Sequence, residues 1–143
     1  MMGGGDNTIK LKRRLDAKRA KVFEALSTPD IAKHWWGGGP WEITGLTLEA
    51  KPGGKFEFNM KNSEDGSEYH TEGEYQEVTQ NERLAWTNAE GGGTLVEVDL
   101  YDAEEGGTEV HVKQGPFPDP ESCEAHTQGW NTSLDQLDAL LKG

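Results

Sequence analysis

The chain has 143 residues, the length of one domain, and 26 acidic residues against 14 basic ones give it a net charge of −12. Such a surface repels phosphate backbones and anionic membranes, which argues against nucleic acid as a partner. No apolar run nears the roughly 18 residues of a spanning helix, so no membrane insertion is expected. A lone cysteine, Cys123, excludes an internal disulfide and fits a reducing compartment, so a cytoplasmic location is expected.

Only 33% of the residues are hydrophobic and 19 are glycine, yet five Trp, four Phe and three Tyr supply large units of burial. Short strands with many turns satisfy both facts. Met1 to Asn7 is Gly-rich and polar, without the apolar segment of a signal peptide. It reads as a flexible tail over residues 1–7, ahead of a single domain over residues 8–143.

From Thr8 to Asp16 the pattern alternates, with Ile9, Leu11 and Arg13 on one side of a strand. Asp16 can cap a helix running to Leu26, striped by Val22, Phe23 and Leu26. Pro29 suits the first turn of a second short helix with Thr28 as cap, and Ile31, Ala32, Trp35 and Trp36 on its buried side. Gly37, Gly38, Gly39 and Pro40 end it.

The period then changes to two. Trp41 and Ile43 alternate with polar residues, Gly45 marks a bulge, and Leu46 and Leu48 resume the pattern. Pro52-Gly53-Gly54 is a turn. Phe56, Phe58 and Met60 share one face of the next strand, and Asp65-Gly66 is a hairpin signal. Tyr69, Thr71, Gly73 and Tyr75 follow on one face, with His70, Glu72, Glu74 and Gln76 opposite. Leu84 and Trp86 mark another strand, Gly91-Gly92-Gly93 a turn, and Val96, Val98 and Leu100 a further strand. Gly106-Gly107 turns the chain again, and Val110 and Val112 carry the last strand to Gly115. Beyond Pro116, Pro118 and Pro120 comes a helix of about twenty residues, with Trp130, Leu134, Leu137 and Leu141 as its stripe.

An antiparallel meander with one polar face must cover the other, and the long terminal helix is the available cover. The expected fold is therefore α+β of the helix-grip kind: a curved antiparallel sheet of six or seven strands around a long C-terminal helix, with two short helices after the first strand. The concavity between sheet and helix is a default place for a small ligand.

The same residues resemble a known family. Ala17 to Leu26 with Thr28-Pro29-Asp30 and Trp35 is similar to its opening helices, and Pro52-Gly53-Gly54-Lys55-Phe56 to its turn and following strand. Gly73-Glu74-Tyr75, Glu82-Arg83-Leu84, Gly107-Thr108-Glu109-Val110 and Gly129-Trp130-Asn131 with Leu134 and Leu137 follow in the family's order. Together, from about Thr8 to Leu141, they resemble the homologues of the activator of heat-shock-protein-90 ATPase. These belong to the START-like (SRPBCC) superfamily, which shares the birch-pollen-allergen fold. The resemblance implies a deep, mainly apolar pocket. Related members bind lipids, sterols, hormones or polyketides, and some are cyclases or hydratases. The chaperone activator carries an additional N-terminal domain for which this chain has no room, so ATPase activation is not expected from the resemblance.

Chemistry-bearing residues are sparse on the inward faces. Cys123 and His126, at i and i+3, could face each other, but no third orienting group or ligand spacing accompanies them. By parity His70 and His111 fall on the outer face, as do Glu72, Glu74, Glu97 and Asp99. His34 reads as an exposed histidine at a helix end. Gly37-Gly38-Gly39 follows a helix and precedes no Lys-Ser/Thr, so it is not a phosphate loop. No catalytic residue, metal or cofactor is assigned.

The pocket candidates are Trp35, Phe56, Phe58, Met60, Tyr69, Thr71, Tyr75, Trp86, Val98, Val110, Val112, Gln114, His126 and Trp130. Core is the ordinary role of such residues. The case for a pocket rests on inward Thr71 and Gln114, whose polar groups need partners that a ligand or water could supply, and on the hydroxyls of Tyr69 and Tyr75. The glycine-rich loop from Trp36 to Trp41 is a candidate mouth. The expected function is binding of a small apolar or amphipathic molecule, in a stress response or metabolism. The alternatives are a cyclase or hydratase using the same pocket through Tyr69, Tyr75 or His126, and a chaperone cofactor docking through the acidic face. Monomer and weak homodimer are both open.

Overall fold

Among the described residues every strand pair is antiparallel, and the strands form a single sheet of seven in the order β1-β7-β6-β5-β4-β3-β2. The structure, a computed structural model, describes residues 7–37, 40–88 and 93–142. Residues 1–6 of the tail expected over residues 1–7, the loop glycines Gly38 and Gly39, and Gly91 and Gly92 lie outside the described residues, while the Asn7 carbonyl accepts from the Phe117 amide at 3.0 Å.

The strands are β1 (Ile9–Leu15), β2 (Trp41–Leu48), β3 (Lys55–Asn62), β4 (Glu68–Thr79), β5 (Arg83–Asn88), β6 (Thr94–Asp102) and β7 (Thr108–Gly115). Helices α1 (Arg19–Ser27) and α2 (Pro29–Ala32) follow β1, and α3 (Pro120–Lys142) ends the chain. A turn of 3-10 helix at Glu104–Gly106 joins β6 to β7. This is the expected helix-grip α+β fold. No described helix is long and apolar enough to cross a membrane.

Period-two burial explains the strands. In β6, Val96, Val98 and Leu100 are buried, while Glu97 and Asp99 on the other face bind Arg83 at 2.7 and 2.8 Å. Arg83 also binds Glu77 at 2.9 Å. These bonds hold the guanidinium in its charged form on the outer face.

The long strand β4 belongs to two neighbours in turn. Its first part, Glu68 to Glu74, pairs with β3, and its second, from Tyr75 to Thr79, pairs with β5. The register slips between Tyr75 and Glu77, leaving Gln76 as a bulge, and a second slip between Ile43 and Gly45 leaves Thr44 as a bulge in β2. Bulges bend strands and increase twist, which is what curls this sheet around α3. At the bend, a Cβ on Gly73 would stand 1.7 Å from the Thr87 carbonyl oxygen, so only glycine fits there.

The helical entry differs from expectation in one respect. Asp16 does not cap α1: the cap is Lys18, whose side chain makes no capping bond. The helix starts at Arg19, too far along for the Asp16 carboxylate to reach its first amides, and Asp16 lies instead 3.6 Å from Arg14. Thr28 does precede Pro29 at the head of α2, though without a side-chain capping bond. The Trp35 indole N–H donates to the Ala25 carbonyl at 2.9 Å and locks the two helices together.

Leu15, Val22, Leu26, Leu84, Val96, Val98, Leu100, Val110 and Val112 join Leu134 and Leu137 of α3 in one apolar core. Arg13 and Asp135 form an ion pair between β1 and α3. Because the Gly73 clash is with backbone, Gly73→Ala should cost on the order of 2 kcal/mol. Urea unfolding followed by tryptophan fluorescence measures it, and an unchanged midpoint would count against this account of the bend.

Candidate functional site

The core does not fill the space between sheet and helix. A cavity of about 310 Å³ remains, walled by β3, β4 and β5 on one side and α3 on the other. That is the lower end of the range for small-molecule sites.

Aromatic side chains form most of its wall, and Trp36 is their hub. Its ring lies 5.2 Å from Phe58, 5.9 Å from Trp130, 6.0 Å from Trp86 and 6.1 Å from Phe56. Trp36 also stacks on Trp35 at 4.9 Å, with the planes inclined by 10°. Trp35 is thereby covered completely and belongs to the core, while its neighbour faces the cavity. Trp41 and Gly37 add to the wall from the expected mouth loop. Helix α3 holds that loop, with Ser133 Oγ donating to the Gly37 carbonyl at 3.2 Å and Gln136 Nε2 to the Trp35 carbonyl at 3.2 Å.

Of the sequence-derived candidates, Phe56, Phe58, Met60, Tyr69, Thr71, Trp86, Gln114, His126 and Trp130 line the cavity. Trp35, Tyr75, Val98, Val110 and Val112 do not, and pack in the core instead. The lining also contains Trp36 and Trp41, the two ends of the expected mouth loop, and four residues outside the candidate set, Asn88, Ala125, Gly129 and Ser133. Asn88 follows Trp86 by two and was available from strand parity. Gly129 and Ser133 share a helical face with His126 and Trp130, but a search for apolar stripes overlooks small residues.

The polar groups are arranged differently from expectation. Gln114 does not wait for a ligand. Its Oε1 accepts from the Trp130 indole N–H at 2.8 Å, and its Nε2 donates to Thr94 Oγ1 at 3.0 Å, so the protein satisfies both ends. Asn88 Oδ1, by contrast, is buried with no partner among the described residues. At the mouth, His126 Nδ1 donates to the Ser122 carbonyl at 2.9 Å, and its Nε2 lies 3.5 Å from the Tyr69 hydroxyl. Phe117 packs on the His126 ring at 4.8 Å. Both ring nitrogens are thus engaged away from Cys123, which is half-buried.

The outer face carries the remaining chemistry. Glu57, His70 and Glu72 bring donor atoms within 4.8 Å of one another, close enough to hold a metal ion. His70 already bonds Asn59, and Lys55 lies 3.9 Å from Glu57, so the group forms a cross-strand charge ladder with a cation of its own. His111 bonds Glu109 at 2.7 Å and holds that carboxyl below its usual range. Both histidines lie on the face opposite the cavity, as parity predicts. His34 is exposed.

With this geometry in place, the comparisons with known proteins are direct. The sequence pattern of the family described as activator of Hsp90 ATPase homolog 1-like protein matches residues 16–142. The chain belongs to this family. A protein of Chromobacterium violaceum has a solved structure that superposes with a TM-score of 0.85 at 27% identity, over 95% of this chain and 98% of that one. One from Nitrosomonas europaea gives 0.80 at 27% identity, over 94% of each. An AHSA1-like protein of Aeromonas hydrophila, at 22% identity and 0.79 over 93% of each chain, shares the fold. No curated protein matches the chain. Within the activator-homologue family, the ordered motifs of the sequence thus mark a helix-grip domain; they do not mark a reaction.

Tyr75 lies in the core and not in the cavity lining. Its hydroxyl is buried without a partner among the described residues, and burial pushes the phenol well above its ordinary 10.0. The unfolded chain ionises near the ordinary value while the folded one resists. The tyrosine's contribution to stability is therefore complete below about pH 10 and lost as pH rises beyond it. Tyr75→Phe should leave stability at neutral pH unchanged or raise it by up to about 1 kcal/mol, and flatten its decline at alkaline pH. Denaturant titrations across that range measure both; a loss of stability at neutral pH would mean that the hydroxyl has a partner.

Proposed function

We propose that this protein binds a small, partly apolar molecule in the cavity between its sheet and α3. One observation carries the reading: the cavity of about 310 Å³ is walled by Trp36, Phe56, Phe58, Trp86 and Trp130, yet faced on the helix side by Gly129 and Ala125. Aromatic walls favour a flat or apolar body. The buried Asn88 Oδ1 favours a molecule that carries a hydrogen-bond donor, since an unpartnered buried acceptor costs about 1–3 kcal/mol. The single cysteine and the acidic composition support a cytoplasmic setting, and the chaperone ATPase in the family's description supports a link to stress responses.

Enzymatic use of the same cavity is the second reading. It is favoured by one observation, that a tyrosine and a histidine, Tyr69 and His126, stand together in the lining. A cyclase or hydratase needs such an acid–base pair beside a bound, oriented substrate.

Gly129 provides the test. A Cβ there meets nothing within 4 Å, so a side chain can enter without displacing the helix. Replacing a helical glycine also removes a cost of roughly 0.5–1 kcal/mol. Gly129→Leu should fold at least as stably as the parent and lose most of its capacity for lipophilic compounds. Native mass spectrometry and thermal shifts against a lipophilic library measure this. If neither protein takes up any compound, or both take up the same ones equally, the cavity is not the binding site.

A further inference from the structure

Two residues of the cavity lining each hold a buried polar atom with no partner among the described residues: the Trp86 indole Nε1–H, a donor, and Asn88 Oδ1, an acceptor. Trp86 is 2% exposed and Asn88 8%. Elsewhere the protein satisfies such groups from its own backbone and side chains. The Trp35 indole donates to the Ala25 carbonyl, and the Trp130 indole to Gln114, whose amide in turn reaches Thr94. Thr94 stands directly across the ladder from Asn88 and still leaves Asn88 Oδ1 unbonded. Among the described residues, the other orphaned atoms of this kind belong to residues outside the lining, Tyr75 in the core and Arg13 in the ion pair between β1 and α3.

Both side chains project from one face of β5, because residues two apart on a strand point to the same side. Their Cα atoms are about 7 Å apart along the strand, and the donor does not bond the acceptor. From this placement we infer that the cavity takes a flat ligand with an amide edge, whose C=O accepts from the Trp86 indole and whose neighbouring N–H donates to Asn88 Oδ1. The inference rests on the cavity being the binding site and adds the chemical class of the ligand. A donor and an acceptor on adjacent ring atoms, as in a lactam, match an acceptor and a donor set side by side. A single hydroxyl oxygen has to serve both from one point. An ionised carboxylate or a lactone brings a second acceptor against Asn88 Oδ1. Phe56 stacks on Trp86 at 5.0 Å with the planes inclined by 21°, so the direction of the indole N–H is set before a ligand arrives. Leaving both atoms buried and unpaired is unfavourable, and a matching ligand recovers that loss without reorganising the wall.

The experiment compares 2-quinolone with coumarin, which has the same two rings and carbonyl but a ring oxygen in place of the N–H. Titrations followed by nitrogen–proton NMR read both affinities together with the indole N–H signals of the tryptophans. The wild-type protein should bind 2-quinolone about tenfold more tightly, as expected for one well-formed hydrogen bond in place of two opposed acceptors. The Trp86 indole signal, assigned by its absence in Trp86→Phe, should move downfield with both compounds, since both carry the carbonyl. Asn88→Leu should bring the two affinities to within about twofold of each other. The wild-type comparison and the indole signal decide the matter even where Asn88→Leu does not fold. Equal binding of the two compounds by the wild-type protein, or a Trp86 signal that neither compound moves, would mean that the two atoms stay sealed in the wall. Either result would overturn the amide edge and leave the cavity reading standing. Binding of neither compound would overturn it too, and the cavity reading is then decided by Gly129→Leu against the lipophilic library.

Discussion

A buried hydrogen-bond chain, from the Trp130 indole through the Gln114 amide to the Thr94 hydroxyl, sets the distance between helix and sheet. Gln114 is almost entirely buried and stands on β7, while Trp130 comes from α3 and Thr94 from β6. Every polar atom in this chain has a specified partner at a specified angle, whereas leucine against valine can slide. Breaking it would leave a buried amide unpaired, a cost on the order of the bond itself or more. Leu134 and Leu137 then continue the contact along the helix, and the ion pair between Arg13 and Asp135 closes it at the β1 edge.

With the helix held at that height, the curvature of the sheet decides what lies beneath it. The bulges at Thr44 and Gln76 and the bend at Gly73 turn β3 and the first half of β4 away from the β5–β6–β7 wall. Val98, Val110 and Val112 pack with Leu134 and Leu137 of α3 in the core. Where the sheet turns, Phe56, Phe58 and Trp86 face the cavity, Tyr69 meets His126 of α3, and Trp36 enters from the loop after α2 to pack on Phe58 and Trp86. The cavity is thus a geometric consequence of two bulges and one glycine.

Much of this was legible in the sequence, and the reasons differ by element. Strand alternation identified Phe56, Phe58 and Trp86 as inward because a strand has only two faces. The same argument could not divide inward residues between core and cavity. Val98 and Phe58 have equal parity, and only the bend at Gly73 separates their fates. Trp35 was chosen over Trp36 because a one-turn helix leaves the direction of the following residues open; the bond from the Trp35 indole to Ala25 settles it. Strand parity places Gln114 inward but does not show its partners, because Trp130 and Thr94 are sixteen and twenty residues away. Pairings of that kind leave no local pattern.

The helix side of the cavity differs from a plain covering face. Positions 126, 129, 130 and 133 form one face of α3, and a helix meant only to cover a sheet would carry leucine along all of it, as Leu134 and Leu137 do next to it. Here the face reads His126, Gly129, Trp130 and Ser133. Glycine inside a helix is destabilising by about 1 kcal/mol relative to alanine, and a Cβ at Gly129 would meet nothing within 4 Å, so neither propensity nor crowding accounts for it. Serine at 133 is committed to the Gly37 carbonyl, which holds the loop that carries Trp36 over the cavity. The face therefore combines a vacancy, a strut for the loop, an anchor to the sheet through Trp130 and an oriented imidazole at the mouth. His126, Gly129 and Ser133 place small or polar groups where leucine would pack, while Trp130 keeps its apolar contact with the core.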